Sequence, residues 1–540
     1  MLKDTSLNIL NNIKKLDNIN TYLGYKGYTI LKKDIPIELL KNLKKDLIIK
    51  PFTINAYSES PSYPIYLESD NKLYVPRFWG INYFGYPKEI KINYGINLNL
   101  SFKGSLRKEP INQEDIVQQY LNEINFNRNL SNEENDNQNK GGSCGLIELK
   151  TGGGKTVIGL KILSVINKKT IIFVHKTFLK DQWIERINEF LPDAKIGTIQ
   201  GQIIDIEDKD IVIAMIQSIS MKEYPESLFK DFGFSLYDEV HHLSSEVFSN
   251  CLKKCNTIYA LGLSATMERK DGLTYVFKMY LGKICDIKYN IKNDVDNVLI
   301  KVINYEVKDD EDFMNTELDY KGNPKYSTMI SKLSNYSYRN DFIIYVIHNE
   351  FKLNNNQQLM ILCHNRNMLS YLYKQINLIG KLSVGFYVGG MKKEDLKVSE
   401  SKQIILATYQ MAAEALDIKS LTSLLLGTPK TDIVQAVGRI LREKHATPLV
   451  IDIVDMHSCF QNQFLKRKMF YNKRDYRIIK TNNNDYINYY NSLAKTESHI
   501  DNIESSIDNN KLWFEIKKRG KKKNSKLEDE IIIDNKKCLI

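Results

Sequence analysis

Apolar residues fall in short continuous runs along the first half of the chain, separated by stretches with helical spacing. Runs of this kind are typical of strands that are buried on both faces of a parallel sheet. The pattern therefore predicts an α/β domain over residues 101–290. Its runs are Leu146–Leu149, Thr170–His175, Ile211–Ala214, Phe234–Asp238 and Thr257–Leu263.

The alternation resumes further along and predicts a second parallel α/β domain over residues 341–485. Its runs are Leu359–Cys363, Ser383–Tyr387, Gln403–Thr408, Thr422–Leu426 and Pro448–Ile453. Residues 303–340 are charged and lack a clear period, so we interpret residues 291–340 as a linker with an insertion.

The two ends of the chain are predicted to differ from this pattern. Residues 1–100 are expected to form a smaller accessory domain, in which Pro36 starts a short helix. Tyr74–Gly80 is interpreted as a strand and turn that pack on a core, with a nucleic-acid stacking surface as the alternative. Residues 486–540 are predicted to be a poorly ordered extension. Its basic run, Lys517–Lys523, is either a solvated tail, a nucleic-acid contact or a nuclear import signal.

Composition narrows the class of protein. The net charge of +11, from 76 basic and 65 acidic residues, permits a polyanionic partner without requiring one. Seven unevenly spaced cysteines do not make a disulfide framework, which indicates reduced thiols. No apolar stretch is long enough for a signal peptide or a membrane span, so we expect an intracellular protein with no membrane partner.

A glycine-rich turn follows the first apolar run and predicts a phosphate-binding loop. Gly152, Gly153 and Gly154 would let backbone N–H groups surround phosphate oxygens. Lys155 would reach the β- and γ-phosphates, and the Thr156 hydroxyl would bind Mg²⁺. The strict motif is not met, because Leu149 stands where its first glycine falls. A glycine-rich turn with a chance Lys-Thr pair is the alternative.

Two carboxylates follow another apolar run, where ligands bind in open α/β sheets. Asp238 is placed to hold Mg²⁺, directly or through water, and Glu239 to orient or deprotonate the attacking water. His241 and His242 raise a metal site as an alternative, which we disfavour because no further ligand is spaced to complete it.

Polar residues in two other places complete the candidate site. Ser264 and Thr266 follow the next strand, either as a link between the nucleotide and domain movement or as a polar strand end. Gln435, Arg439 and Arg442 share one face of a predicted helix. They are either partners in surface salt bridges or residues that bring two arginine fingers to the γ-phosphate.

In order along the chain, these stretches resemble the motifs of superfamily 2 helicases. The matching stretches are Thr151–Thr156 (motif I), Val174–Trp183 (Ia), Ile216–Ser218 (Ic), Asp238–His241 (II), Leu263–Thr266 (III), Met360–Asn365 (IV), Ala407–Asp417 (V) and Gln435–Arg442 (VI). Tyr74–Gly80, Tyr387–Glu394 and Thr428–Arg442 resemble the XPB-like branch of transcription and repair helicases. They are closer still to the transcript-release-type helicases of large cytoplasmic DNA viruses.

The resemblance implies two RecA-like domains with ATP and Mg²⁺ in the cleft between them. It implies nucleotide contacts from Arg107, Gln113, Thr151, Gly152–Gly154 and Asp417, and coupling by His241, Ser264 and Thr266. Its nucleic-acid contacts would be Lys176, Thr177, Gln217, Ser218, His364, Asn365, Arg366 and Thr408. Three positions depart from the family pattern: Arg107 stands six residues before Gln113 instead of three, Ala415 replaces a glycine, and Lys270 replaces an acid between Arg269 and Asp271.

Three functions remain open at this point. The first is an ATP-dependent DNA helicase or translocase that works in viral transcription or in repair. The second is an RNA helicase. The third is an ATP-gated scaffold that closes on DNA without separating its strands. The expected partners are DNA or RNA, with RNA polymerase or other transcription proteins; the expected location is the host cytoplasm, in viral factories, with the virion as a further option.

Overall fold

The computed structural model describes residues 19–51, 62–109, 111–124, 143–149, 152–269, 271–285, 297–414, 418, 420–441, 445, 447–496 and 512–516. The chain divides into two compact units, residues 1–292 and 293–540. Within the described residues, no helix is long and apolar enough to cross a membrane.

The first unit begins with a five-stranded sheet of order β5-β6-β2-β1-β7, joined by a small pair, β3 and β4. The strands are β1 Thr21–Gly24, β2 Gly27–Leu31, β3 Ile48–Ile49, β4 Tyr63–Pro64, β5 Leu67–Glu68, β6 Lys72–Val75 and β7 Glu89–Ile90. The helices are α1 Ile37–Asp46 and α2 Arg77–Phe84. The predicted helix after Pro36 is α1. Tyr74–Gly80 packs on a core as predicted, since Trp79 is buried, but a helix replaces the expected turn.

A seven-stranded sheet of order β11-β10-β12-β9-β13-β14-β8 follows, parallel except for β11. Its strands are β8 Ser143–Glu148, β9 Thr170–Val174, β10 Ile196–Gln200, β11 Ile203–Asp205, β12 Ile211–Met215, β13 Phe234–Asp238 and β14 Tyr259–Ser264. Its helices are α3 Gln113–Glu123, α4 Lys155–Ile166, α5 Thr177–Phe190, α6 Ile216–Met221, α7 Glu246–Lys254 and α8 Thr274–Leu281. Strands β9, β12 and β13 are buried along their whole length, which is why they read as unbroken apolar runs.

The N-terminal region shares a core with this sheet and is not a separate domain, contrary to the predicted boundary at residue 100. Side chains alternate along β9, so that Phe173 packs in one core with Trp79 while Ile172 packs in another with the helices. Arg77 is buried and donates to the carbonyls of Thr257 (3.1 Å) and Ile258 (3.2 Å). A buried arginine of α2 therefore fixes the loop that leads into β14.

The second unit contains an eight-stranded sheet of order β17-β18-β16-β19-β20-β15-β21-β22, parallel except for β22. Its strands are β15 Leu299–Tyr305, β16 Leu359–Cys363, β17 Val384–Tyr387, β18 Ile404–Thr408, β19 Ser423–Leu426, β20 Leu449–Asp455, β21 Arg477–Asn482 and β22 Phe514–Glu515. Its helices are α9 Glu311–Met314, α10 Tyr326–Asn335, α11 Ser337–Leu353, α12 Arg366–Ile379, α13 Lys393–Glu400, α14 Tyr409–Glu414, α15 Val434–Arg439, α16 Ser458–Lys473 and α17 Asn483–Thr496.

The predicted linker at 291–340 is wrong in part, because β15 lies inside the second sheet between β20 and β21. Strand β15 contains one charged residue, and its charge is paired inside the protein. Lys301 is buried in β15 and its ammonium lies 2.7 Å from the carboxylate of Glu350, which neutralises it. The predicted end at residue 485 is also too early, since β22 extends the sheet. The basic run 517–523 lies outside the described residues.

Two buried arginines hold the loop after β19. Arg467 binds both carboxylate oxygens of Asp452, at 2.8 and 2.9 Å, and donates to the carbonyl of Lys430 (2.9 Å). Arg339 binds Asp455 in the same way and donates to the carbonyl of Gly427 (2.8 Å). Because both pairs are fully buried, each charge depends on its partner.

We predict that Arg467→Met lowers the free energy of unfolding by about 3–5 kcal/mol, because it leaves the Asp452 carboxylate buried without its cation. The control is Arg477→Met, since Arg477 pairs with Glu515 in solvent and its loss should cost under about 1 kcal/mol. Urea unfolding of the two variants measures both values. Equal losses would contradict the assigned difference between buried and exposed pairs.

Candidate functional site

The glycine loop connects β8 to α4 at the edge of the seven-stranded sheet where its parallel strands have their carboxyl ends. Gly152 and Gly154 adopt left-handed backbone conformations, with φ of 83° and 84°, which side chains disfavour. A Cβ on Gly154 would lie 2.1 Å from the Gln113 amide nitrogen, whereas a Cβ on Gly152 would meet nothing within 4 Å. The loop is thus tightly backed on one side and open on the other, where phosphate oxygens would have room.

Two of the residues predicted to contact the nucleotide lie directly behind this loop. Arg107 donates to the carbonyl of Gly152 (2.9 Å), and Gln113 donates to the carbonyl of Gly153 (3.1 Å). The Gln113 carbonyl oxygen also accepts from the backbone N–H of Arg107 (2.9 Å). The two side chains therefore hold the loop in shape, despite the longer spacing between them. Their contact with the nucleotide stays a prediction.

The paired carboxylates lie at the end of β13. Asp238 is buried and accepts from the indole N–H of Trp183 (2.9 Å) and from the backbone N–H of Glu239 (3.0 Å). Burial and the neighbouring carboxylate of Glu239 raise the pKa of Asp238 to about 6. Glu239 itself has a φ of 49°, a strained conformation of the kind found at functional sites.

Glu239 connects the glycine loop to the predicted coupling residues. The Lys155 ammonium lies 3.6 Å from one of its carboxylate oxygens. The other oxygen lies 3.3 Å from His241 Nδ1, which lies 2.8 Å from the Ser264 hydroxyl. Ser264 in turn donates to the Thr266 carbonyl (2.7 Å). The structure therefore brings together Lys155, Glu239, His241, Ser264 and Thr266 at the ends of β8, β13 and β14.

The nucleic-acid residues predicted in the first unit lie at the ends of β9 and β12, which are neighbours in the sheet. Lys176 precedes α5, and Thr177 is the first residue of that helix. Gln217, in α6, donates to the carbonyl of His175 (2.6 Å). The Ser218 hydroxyl accepts from the backbone N–H of Gly201 (2.8 Å). These four residues share one edge, and their contact with a polymer stays a prediction.

In the second unit, the predicted residues again follow adjacent strands. His364, Asn365 and Arg366 follow β16, and Thr408 ends β18. His364 Nδ1 lies 2.7 Å from the hydroxyl of Thr428, and burial lowers the pKa of His364 to about 4.

The arginine helix is α15, in which Gln435 and Arg439 lie four residues apart. Arg439 is buried and its Nε donates to the carbonyl of Ala412 (2.9 Å). Thr151, Asp417 and Arg442 lie outside the described residues, as do Lys270 and Ala415. The roles assigned to these residues stay predictions.

Sequence reasoning missed the contacts of four residues that shape the site. Trp183 was noted only as the end of a motif, and nothing in the sequence connects it to Asp238, 55 residues later. Thr428 positions His364 through tertiary contact alone. His175 and His242 pack ring on ring, which only the fold reveals.

The donor set fits ATP with Mg²⁺. Thr156 follows Lys155 at the start of α4, and Asp238 offers a carboxylate held in place by Trp183. A hydroxyl and a carboxylate are oxygen ligands of the kind that Mg²⁺ binds together with phosphates.

Residues 108–269 match the protein family described as "Type III restriction enzyme, res subunit". A protein of Acanthamoeba polyphaga mimivirus, "Putative ATP-dependent RNA helicase L396", is 34% identical over 485 residues, which cover 86% of this chain and 87% of the relative. The African swine fever virus protein QP509L, described in the same words, is 26% identical over 62% of this chain and 69% of its own length.

A further relative, described as "Putative helicase 161L" of Invertebrate iridescent virus 6, is 24% identical over 61% of this chain and 76% of its own length. The extent of the mimivirus match points to the same class of protein as the geometry of the sheet edge that carries Lys155, Asp238 and Glu239. We call this edge the nucleotide edge. This chain belongs to the superfamily 2 helicases, in a group with helicases of large DNA viruses, and is an ATP-hydrolysing enzyme.

Proposed function

We propose that this chain uses ATP hydrolysis to move along DNA in viral transcription, at transcript release or termination, or in repair. The proposal rests on two groups of residues that lie at the same edge of the seven-stranded sheet. The Lys155 ammonium lies there 3.6 Å from a carboxylate oxygen of Glu239. Lys176, Thr177 and Gln217 follow strands β9 and β12 at the same edge. Nucleotide chemistry and polymer contact would then be next to each other.

Each residue at the nucleotide edge has a proposed role. Lys155 binds the β- and γ-phosphates, and Glu239 orients the attacking water and accepts its proton. Mg²⁺, when held by Thr156 and Asp238, would neutralise phosphate charge. His241, Ser264 and Thr266 relay changes at Glu239 to the end of β14. Backbone phosphates would dominate polymer binding, so binding should weaken with salt and depend little on sequence.

RNA is the second candidate polymer, favoured by the names of the mimivirus and swine fever virus relatives. The preference for DNA rests on the similarity to the branch of transcription and repair helicases. An ATP-gated scaffold is the third candidate; it would bind DNA and partner proteins without separating strands. RNA polymerase or another transcription protein is the proposed partner, in the cytoplasm of the infected cell.

We predict that DNA raises the ATPase rate more than RNA does. ATPase activity is measured side by side with single-stranded DNA, duplex DNA and RNA of equal length, at two salt concentrations. If RNA raised the ATPase rate more than DNA did, RNA would be the polymer along which the enzyme moves. ATP-dependent DNA binding without stimulation or strand displacement would favour the scaffold.

We also propose that Arg439, with Arg442, stabilises the charge that develops on the γ-phosphate. Arg439→Ala should lower turnover by about 10³-fold or more while ATP affinity changes little, since an arginine finger acts mainly in the transition state. Arg474→Ala, at an exposed position of the same unit, is the control. Nucleotide binding and single-turnover hydrolysis separate the two effects. Loss of ATP binding with unchanged turnover of bound ATP would contradict this role.

A further inference from the structure

The rings of three histidines, His175, His242 and His241, pack in series (the histidine stack). The series lies between the loop that carries Lys176 and Thr177 and the proposed catalytic residue Glu239. The ring centroids of His175 and His242 lie 4.2 Å apart at an interplanar angle of 40°. Those of His242 and His241 lie 4.3 Å apart at 39°. His175 follows β9, whereas His241 and His242 lie in the 3₁₀ turn Val240–Ser244 after β13. The series therefore joins two loops at the carboxyl ends of neighbouring strands.

Each end of the series contacts a residue with a proposed role. At one end, the carbonyl of His175 accepts from Gln217 at 2.6 Å, and Lys176 and Thr177 follow it directly. At the other end, His241 Nδ1 lies 2.8 Å from the Ser264 hydroxyl and 3.3 Å from Glu239. Tightly packed rings transmit displacement because they have little free space in which to absorb it.

Metal binding is a poor explanation for the histidines. Among the described residues, no three His, Cys, Asp or Glu side chains are grouped to hold a metal ion. Burial lowers the pKa of His175 to about 4 and that of His242 to about 3, so both rings are neutral at pH 7. The Nδ1 of His175 is buried without a hydrogen-bond partner. This nitrogen adds no polar contact, so the ring acts through its packing.

We propose that His175 and His242 are positioning residues that couple polymer bound at Lys176–Thr177 to the placement of Glu239. This inference rests on the proposed function, since it needs a polymer to bind that loop. Phosphates on Lys176 and Thr177 shift the backbone at His175; the stack passes the shift to His241, and His241 moves the Glu239 carboxylate relative to Lys155. Polymer-stimulated hydrolysis is the outcome.

The test is the stimulation ratio, defined as the ATPase rate with saturating polymer divided by the rate without it. For wild type, the polymer is whichever of single-stranded DNA, duplex DNA or RNA stimulates most. We expect His175→Ala and His242→Ala each to lower the ratio at least about fivefold, the lower end of typical coupling between sites. The double variant should lose no more than either single variant, because both belong to one path. His175→Phe, which keeps a ring, should restore most of the ratio.

His348→Ala is the matched control: His348 is a partly buried histidine in α11 of the other unit, and its loss should leave the ratio unchanged. If His175→Ala does not fold, His175→Gln replaces it, since it is polar but has no ring. Unchanged stimulation in variants that lack the stack overturns this inference alone, as does full additivity of the two substitutions. If no polymer raised the ATPase rate of the wild-type protein, the proposed function and this inference would both be overturned.

Discussion

The buried hydrogen bond between Trp183 and Asp238 sets the geometry of the nucleotide edge. A carboxylate removed from water needs strong partners, and Asp238 has two N–H donors, one from an indole and one from the next backbone unit. Directly after this bond the chain turns at Glu239, which adopts a left-handed conformation. That turn directs Glu239 toward Lys155 and places His241 beside Ser264.

The position of β13 extends this constraint to the rest of the first unit. It lies between β9 and β14, so its end is flanked by the loop after His175 on one side and by Ser264 on the other. The N-terminal region also stabilises this sheet, because Arg77 fixes the loop that leads into β14 and Trp79 shares a core with Phe173. In the second unit, Arg339 and Arg467 fix the loop that carries Thr428.

Much of the fold could be predicted from sequence because parallel strands buried on both faces leave an unmistakable apolar run. Strands β9, β12, β13 and β16 begin and end within a residue or two of their predicted runs. Strand β15 was not predicted, because Lys301 is typical of a surface residue and its buried pairing with Glu350 is visible only in the structure. The glycine loop and the carboxylates were recognisable locally. The Trp183 bond and the histidine stack depend on contacts between distant residues, which sequence spacing does not encode.

We propose that Lys155 and Glu239 form the centre of the ATP-hydrolysing site. Its most direct test compares the ATPase rates of Lys155→Ala and Lys161→Ala, since both lysines lie in α4 but only Lys155 follows the glycine loop. We predict that Lys155→Ala lowers the rate by about 100-fold or more with the fold intact, while Lys161→Ala stays near wild type. A folded Lys155→Ala protein with the wild-type rate would contradict it.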